Sequence, residues 1–167
     1  MDFFQKRSIT ICVFFAALTA CSSSKPVKVN SKLQKTATYK PIEIKRNEGQ
    51  SLGKYFSSFL RLKKFECENK ALDGYYSHIY REPAAEAKNA DELTVCVQFA
   101  KNEVDKTFRE LISRKSSENM QIAIKNLYTS WNVLMSQLSI YKKGLPAEEL
   151  SYRNASEAYE TELKFGQ

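Results

Sequence analysis

From Ser51 onward the apolar residues recur at helical spacing, whereas residues 22–49 sustain no period. Leu52, Tyr55, Phe56, Phe59 and Leu60 fall at i, i+3, i+4, i+7 and i+8, one face of a helix. Leu62 and Phe65 extend that apolar surface toward Cys67. A weaker segment follows, with Leu72, Tyr75, Tyr76, Ile79 and Tyr80. Gly74 costs it about 1 kcal/mol relative to Ala if it is helical, and Pro83 is expected to stop it. Asn89-Ala90-Asp91-Glu92 reads as a capping box, with Asn89 as N-cap and Glu92 reaching back. The helix it opens carries Leu93, Val97, Ala100, Val104, Phe108 and Leu111 on one stripe, with Cys96 beside it and Arg114 and Lys115 at its negative end.

Ser116 or Ser117 then caps the clearest period in the chain: Met120, Ile124, Leu127, Tyr128, Trp131, Leu134, Met135 and Leu138. Trp131 lies in the middle of that stripe and is expected in the core. Lys142 and Lys143 would close this helix, with Gly144 in the left-handed position that follows it. Pro146 suits the first turn of a last helix, and Glu148 and Glu149 sit at its positive end. Tyr152, Ala155 and Tyr159 make a thin stripe, so this helix is expected on the rim of the core. The pattern predicts an all-α fold: a small antiparallel bundle of three to four helices joined by short connections.

The N-terminal segment reads differently. Lys6 and Arg7 precede an apolar run from Ile9 to Ala17, about half the ~20 residues that a spanning helix needs. Leu18-Thr19-Ala20-Cys21 resembles the lipobox of bacterial lipoproteins. The resemblance implies that residues 1–20 are a signal peptide and that Cys21 is lipidated and becomes the mature N-terminus. It implies a protein anchored in the bacterial envelope. Ser22, rather than Asp, after the cysteine implies outer-membrane sorting, with the domain facing the periplasm. The expected division is 1–20 signal peptide, 21–49 lipidated Cys and basic linker, 50–163 helical domain and 164–167 tail.

Cys12 would be lost with the signal and Cys21 would carry lipid, which leaves Cys67 and Cys96. Two thiols in an oxidising compartment are expected to form a disulfide. Closing a loop of about thirty residues would stabilise the fold by roughly 3–4 kcal/mol in the chain-entropy model.

The net charge of +7 would suit a nucleic-acid partner, but its distribution argues against one. Residues 22–49 hold Lys25, Lys28, Lys32, Lys35, Lys40, Lys45 and Arg46 against Glu43 and Glu48, whereas residues 50–163 hold 16 basic and 16 acidic side chains. The excess sits where a membrane surface would be. There Lys25, Lys28, Lys32 and Lys35 would each gain about 1 kcal/mol from an anionic surface. The alternative is a solvated, self-repelling spacer. Within the linker, Val27-Lys28-Val29 and Ile42-Glu43-Ile44 alternate like short strands, either of which could lie against the domain.

Candidate chemistry is sparse. His78 is the only histidine, and no Cys, Asp or Glu stands at ligand spacing from it. Neither a hydrolase, zincin nor phosphate-loop motif is present, and no cofactor or metal is expected. An enzyme using His78 and its tyrosines is the least favoured reading. Tyr75, Tyr76 and Tyr80 cluster around His78 with Arg81 beside them. Exposed aromatics plus Arg make a candidate protein interface; the competing reading has the rings filling space under the disulfide with their hydroxyls at the surface.

Cys96-Val97-Gln98-Phe99-Ala100, Val104-Asp105, Phe108, Leu111, Leu127 and Trp131 together resemble LprI-type lysozyme-inhibitor lipoproteins over residues 96–135. That family has a Cys, an Asp about nine residues on and a second helix centred on Trp. This chain has Met135 where the family usually has Arg, and the partner cysteine lies upstream at Cys67. The reading that follows is a non-catalytic, lipid-anchored envelope protein that binds a periplasmic or envelope protein, as an inhibitor, an immunity factor or an assembly accessory. The alternative is a structural tether that holds anionic membrane or cell wall through the linker.

Overall fold

The computed structural model describes residues 39–165. Cys12, Cys21, Lys25, Lys28, Lys32, Lys35 and Val27-Lys28-Val29 lie outside them. The described residues form four helices and no strand: α1 (Leu52–Ile79), α2 (Pro83–Ile112), α3 (Glu118–Gln137) and α4 (Pro146–Phe165). They make two hairpins, α1 with α2 and α3 with α4, packed on one another. Cross-links between α1 and α2 run in opposite senses along the chain: Cys67 to Cys96, Lys70 to Glu92 and Asn89 to Ser77. The pair is therefore antiparallel, as expected.

Ser51 and Ser117 cap α1 and α3, accepting from the N–H of Lys54 and Met120. Each occupies the N-cap, where a hydroxyl satisfies an orphan donor for about 1 kcal/mol. Several boundaries differ from expectation. α1 runs unbroken through Gly74 to Ile79. α1 does end ahead of Pro83, and Pro83 also opens α2 at the first helical position, where its missing N–H has no partner to lose. Asn89 is therefore inside α2, and its amide donates to Ser77 Oγ at 2.8 Å rather than capping. Glu92 is buried and paired with Lys70 at 2.9 Å. α2 stops at Ile112, before Arg114 and Lys115. α3 stops at Gln137, so Lys142, Lys143 and Gly144 belong to the loop into α4; Gly144 does take a positive φ, 76°. Lys164 lies within α4.

The core holds Phe56, Leu60, Val104, Leu127, Trp131, Leu134 and Tyr159, all completely buried. Trp131 is central, as its position in the α3 stripe predicts. Its indole N–H donates to the Leu60 carbonyl at 2.9 Å. α4 buries only Tyr152 and Tyr159, as its thin stripe predicts, but sends Tyr159 into the centre, where its hydroxyl donates to the Gly53 carbonyl at 3.0 Å. A Cβ on residue 53 would stand 2.7 Å from Leu163 Cδ1 and 2.9 Å from that hydroxyl, so Gly53 is what lets α4 approach. An aromatic series joins all four helices. Tyr159 of α4 meets Phe56 of α1 edge-on at 6.2 Å, Phe56 meets Phe108 of α2 at 6.5 Å, and Phe108 stacks on Tyr128 of α3 at 3.9 Å.

Leu62 and Phe65 do not continue the core face. They point to solvent from the opposite side of α1, where Phe65 is 63% exposed.

Gly74 is a close-approach site and not a weakness of α1. A Cβ there would lie 2.2 Å from Ile140 Cγ2, and Ile140 is buried. Helix propensity alone would make Gly74→Ala stabilising by about 1 kcal/mol. The packing predicts the opposite sign, a loss of about 1–3 kcal/mol from forcing Ile140 out of place, read from the urea midpoint.

Burial raises the Tyr152 phenol to about 12 and pushes Tyr159 up as well. Each stays neutral in the fold while its unfolded counterpart ionises near 10. Their stabilising contribution is therefore complete below pH 10 and is lost as pH climbs through the folded values, by about 1.4 kcal/mol per pH unit for each. The urea midpoint should therefore fall steadily as pH rises from 10 to 12. Tyr159→Phe should be less stable at pH 7 but less steeply dependent on pH above 10.

Candidate functional site

The expected aromatic cluster sits where α1 turns into α2. The turn is built without glycine. The Glu82 N–H bonds the Ser77 carbonyl at 2.9 Å and the Arg81 N–H bonds the His78 carbonyl at 3.2 Å. This is the paired closure of a Schellman helix end, with Arg81 in the left-handed position at φ 58°. A non-glycine residue there costs about 1–2 kcal/mol. The closure fixes the direction in which Tyr80 and Arg81 leave the helix.

Tyr76 stacks on Tyr80 at 6.2 Å, and Tyr75 meets Tyr76 edge-on at 5.8 Å. Tyr76, His78, Tyr80 and Arg81 are exposed and Tyr75 is half-buried. The rings therefore do not fill space beneath the disulfide. His78 Nδ1 lies 3.3 Å from Glu86 Oε1 on α2, and its ring meets Tyr141 edge-on at 5.0 Å. Tyr141, exposed in the α3–α4 loop, is part of this cluster although it is distant in sequence. No periodic signal marks it, because it lies beyond the end of α3. Among the described residues no group of three or more His, Cys, Asp or Glu is placed to hold a metal ion.

Cys67 and Cys96 are bonded, with Cα atoms 5.6 Å apart. They join the middle of α1 to the middle of α2. The segment Tyr39–Ile44 lies over this staple, so of the two alternating stretches Ile42-Glu43-Ile44 does pack on the domain. The Tyr39 hydroxyl reaches Glu66 and lies 3.6 Å from Cys96 Sγ, while the Ile42 N–H donates to Glu66 Oε1 at 2.8 Å. Lys63 reaches the Ile42 carbonyl and also pairs with Glu66 Oε2 at 3.0 Å. The Tyr55 hydroxyl holds the Ile44 carbonyl at 2.9 Å. Lys63 is only 1% exposed, and its ammonium also sits 4.9 Å over the Phe99 ring. Burial, then the bond to Glu66, pushes the Tyr39 phenol far up. In sequence Lys63 and Glu66 read as an ordinary i,i+3 surface pair, so nothing singled them out.

Two adjoining depressions run along the flank of α1 toward α4, of about 320 and 400 Å3, and share Phe65, Glu68 and Glu149. Glu68 is raised above the usual carboxylate range by burial, against the opposing pull of Lys64.

Comparisons with protein families, curated proteins and solved structures match nothing to this chain.

The buried Lys63–Glu66 pair predicts a sharp asymmetry. Glu66→Ala strands a buried ammonium and should cost about 3–5 kcal/mol, whereas Lys63→Met with Glu66→Leu should cost much less. In both variants the Ile42 amide loses its acceptor. Hydrogen exchange there should rise toward the open-chain rate while the α1 and α2 amides of the double variant stay protected.

Proposed function

We propose that this protein is a non-catalytic, lipid-anchored protein of the bacterial envelope whose helical domain binds another periplasmic or envelope protein. The observation that carries the binding reading is the exposed cluster of Tyr80, His78, Arg81 and Tyr141 at one end of the bundle. Aromatics and Arg dominate binding energy at protein interfaces, and a fixed turn limits the entropy lost when they are engaged. The location rests on the resemblance of Leu18-Thr19-Ala20-Cys21 to a lipobox and on the basic residues that follow it. Inhibition of, or immunity to, a wall-degrading enzyme is the more specific form of this reading. It is drawn from the likeness of residues 96–135 to LprI-type inhibitors.

A second reading is a structural tether, with Lys25, Lys28, Lys32 and Lys35 on anionic membrane or cell wall. The clamp of Tyr39–Ile44 onto α1 favours it, because a tether needs a firm attachment of linker to domain.

Palmitate labelling of cells should mark the wild-type chain and not Cys21→Ala; equal labelling of both would remove the anchor. For binding, Arg81→Gly separates the two roles of that residue. It relieves the left-handed backbone and should raise stability by about 1 kcal/mol. It also removes the guanidinium, so capture of an envelope protein by a photo-crosslinker at Tyr80 should fall severalfold. Unchanged capture, or none from the wild-type background, would count against this face.

A further inference from the structure

α1 presents apolar residues on two opposite sides. Its inner side makes the core. On the outer side Leu62, Phe65, Asn69, Leu72, Tyr76 and Ile79 follow one another at spacings of three and four. That alternation is the a/d repeat of a helix that packs along another helix. All six are exposed, and the five apolar ones are between 38% and 63% accessible. An exposed apolar stripe of this length marks an interaction surface.

We propose that this outer seam of α1 pairs with the same seam of a second copy, the two helices running antiparallel. The proposal rests on the reading that the exposed aromatics of α1 bind protein, and it names a second copy as a partner there. Three observations choose that occupant. The first is self-complementarity. A two-fold axis between residues 69 and 72 sets Leu62 of one copy against Ile79 of the other, Phe65 against Tyr76, and Asn69 against Leu72. Aliphatic then meets aliphatic at the ends and ring meets ring between them. The two Asn69 amides flank the axis within reach of each other, and one polar residue in such a seam fixes register.

The second is charge. In a parallel pair Glu68 of one copy would face Asp73 of the other, a like-charge contact; in the antiparallel pair Glu68 lies beside Tyr75, and Asp73 falls toward Glu66, whose charge is already buried and held by Lys63 and the Ile42 amide. The third is area. The exposed parts of the six side chains come to roughly 500 Å2 per copy, or about 1,000 Å2 in the pair, the size a specific interface must reach. The Tyr39–Ile44 segment contacts α1 through Tyr55, Lys63 and Glu66 and leaves the seam open. His78 and Tyr141 lie off the seam, so the envelope-protein face stays available in the pair.

The test uses the full chain in bacterial membranes, with Cys67 and Cys96 bridged. Asn69→Cys, treated with a short bis-maleimide, should give a species of twice the mass. Lys125→Cys, exposed on α3, should give at least tenfold less. Adding Phe65→Glu and Leu72→Glu should abolish the species while helix content stays unchanged, since both side chains point to solvent. Mixed Leu62→Cys and Ile79→Cys copies should cross-link, and Leu62→Cys copies alone should not. Dimer from Asn69→Cys no stronger than from Lys125→Cys overturns the pairing, and cross-linking of Leu62→Cys copies to each other overturns the antiparallel register. A photo-crosslinker at Phe65 that captures a different envelope protein and no second copy overturns this proposal but leaves the protein-binding reading standing. Capture of no protein from either Phe65 or Tyr80 overturns both.

Discussion

Two side-chain donors reaching the backbone of a single helix hold the bundle in register. The indole of Trp131 and the phenol of Tyr159 give their hydrogens to the carbonyls of Leu60 and Gly53 on α1. Both donors are fully buried, so neither has water as an alternative, and losing either acceptor would cost the full desolvation of the donor. This fixes α3 and α4 against α1 both along the axis and in rotation, which non-directional apolar contact would not do. Gly53 is the condition for the second bond, since any side chain there would occupy the space of the Tyr159 hydroxyl. The aromatic series from Tyr159 through Phe56 and Phe108 to Tyr128 then spreads that register to all four helices.

A second constraint works across the hairpin of α1 and α2. The Cys67–Cys96 bond, the half-buried Lys70–Glu92 pair and the Asn89–Ser77 bond lie along one side of the pair. Over the staple, a short stretch of linker supplies the carbonyl, amide and phenol that make burial of Lys63 and Glu66 tolerable. Charges so far from water need every remaining donor and acceptor satisfied. The linker is thus part of the folded unit at Tyr39–Ile44, and its basic character upstream is a separate matter.

The sequence made the helices legible where one periodic face meets the core. The stripe of α3, the start of α1 and the serine caps are such cases. It misled where a residue has two uses. Proline terminates many helices, but the ring and missing N–H of Pro83 suit the first turn equally well. Asn89-Ala90-Asp91-Glu92 has capping-box spacing, yet the same Asn and Glu satisfy partners on α1. Gly74 reads as a weakness until Ile140, far along the chain, is placed against it. The outer residues Leu62 and Phe65 looked like an extension of the core, because neighbouring apolar residues do not reveal which side of a helix will be covered. The aromatic cluster was visible as a local run, but Tyr141 could join it only through the course of the α3–α4 loop. Lys63 and Glu66 were invisible as a buried pair, since nothing nearby in sequence announces Tyr39 and Ile42 as their partners.

The clamp at Tyr39–Ile44 also decides how a mechanical load enters the domain. A pull along the chain from before Tyr39 arrives at the centre of α1, beside a covalent bond to α2, and not at the helix start at Leu52. Tension applied there meets the bonds of Tyr39, Ile42 and Ile44 to Glu66, Lys63 and the Tyr55 hydroxyl before it reaches the first turn of α1. The residues between the clamp and the Ser51 cap, Lys45 to Gln50, are then slack that tension reaches only after the clamp gives way.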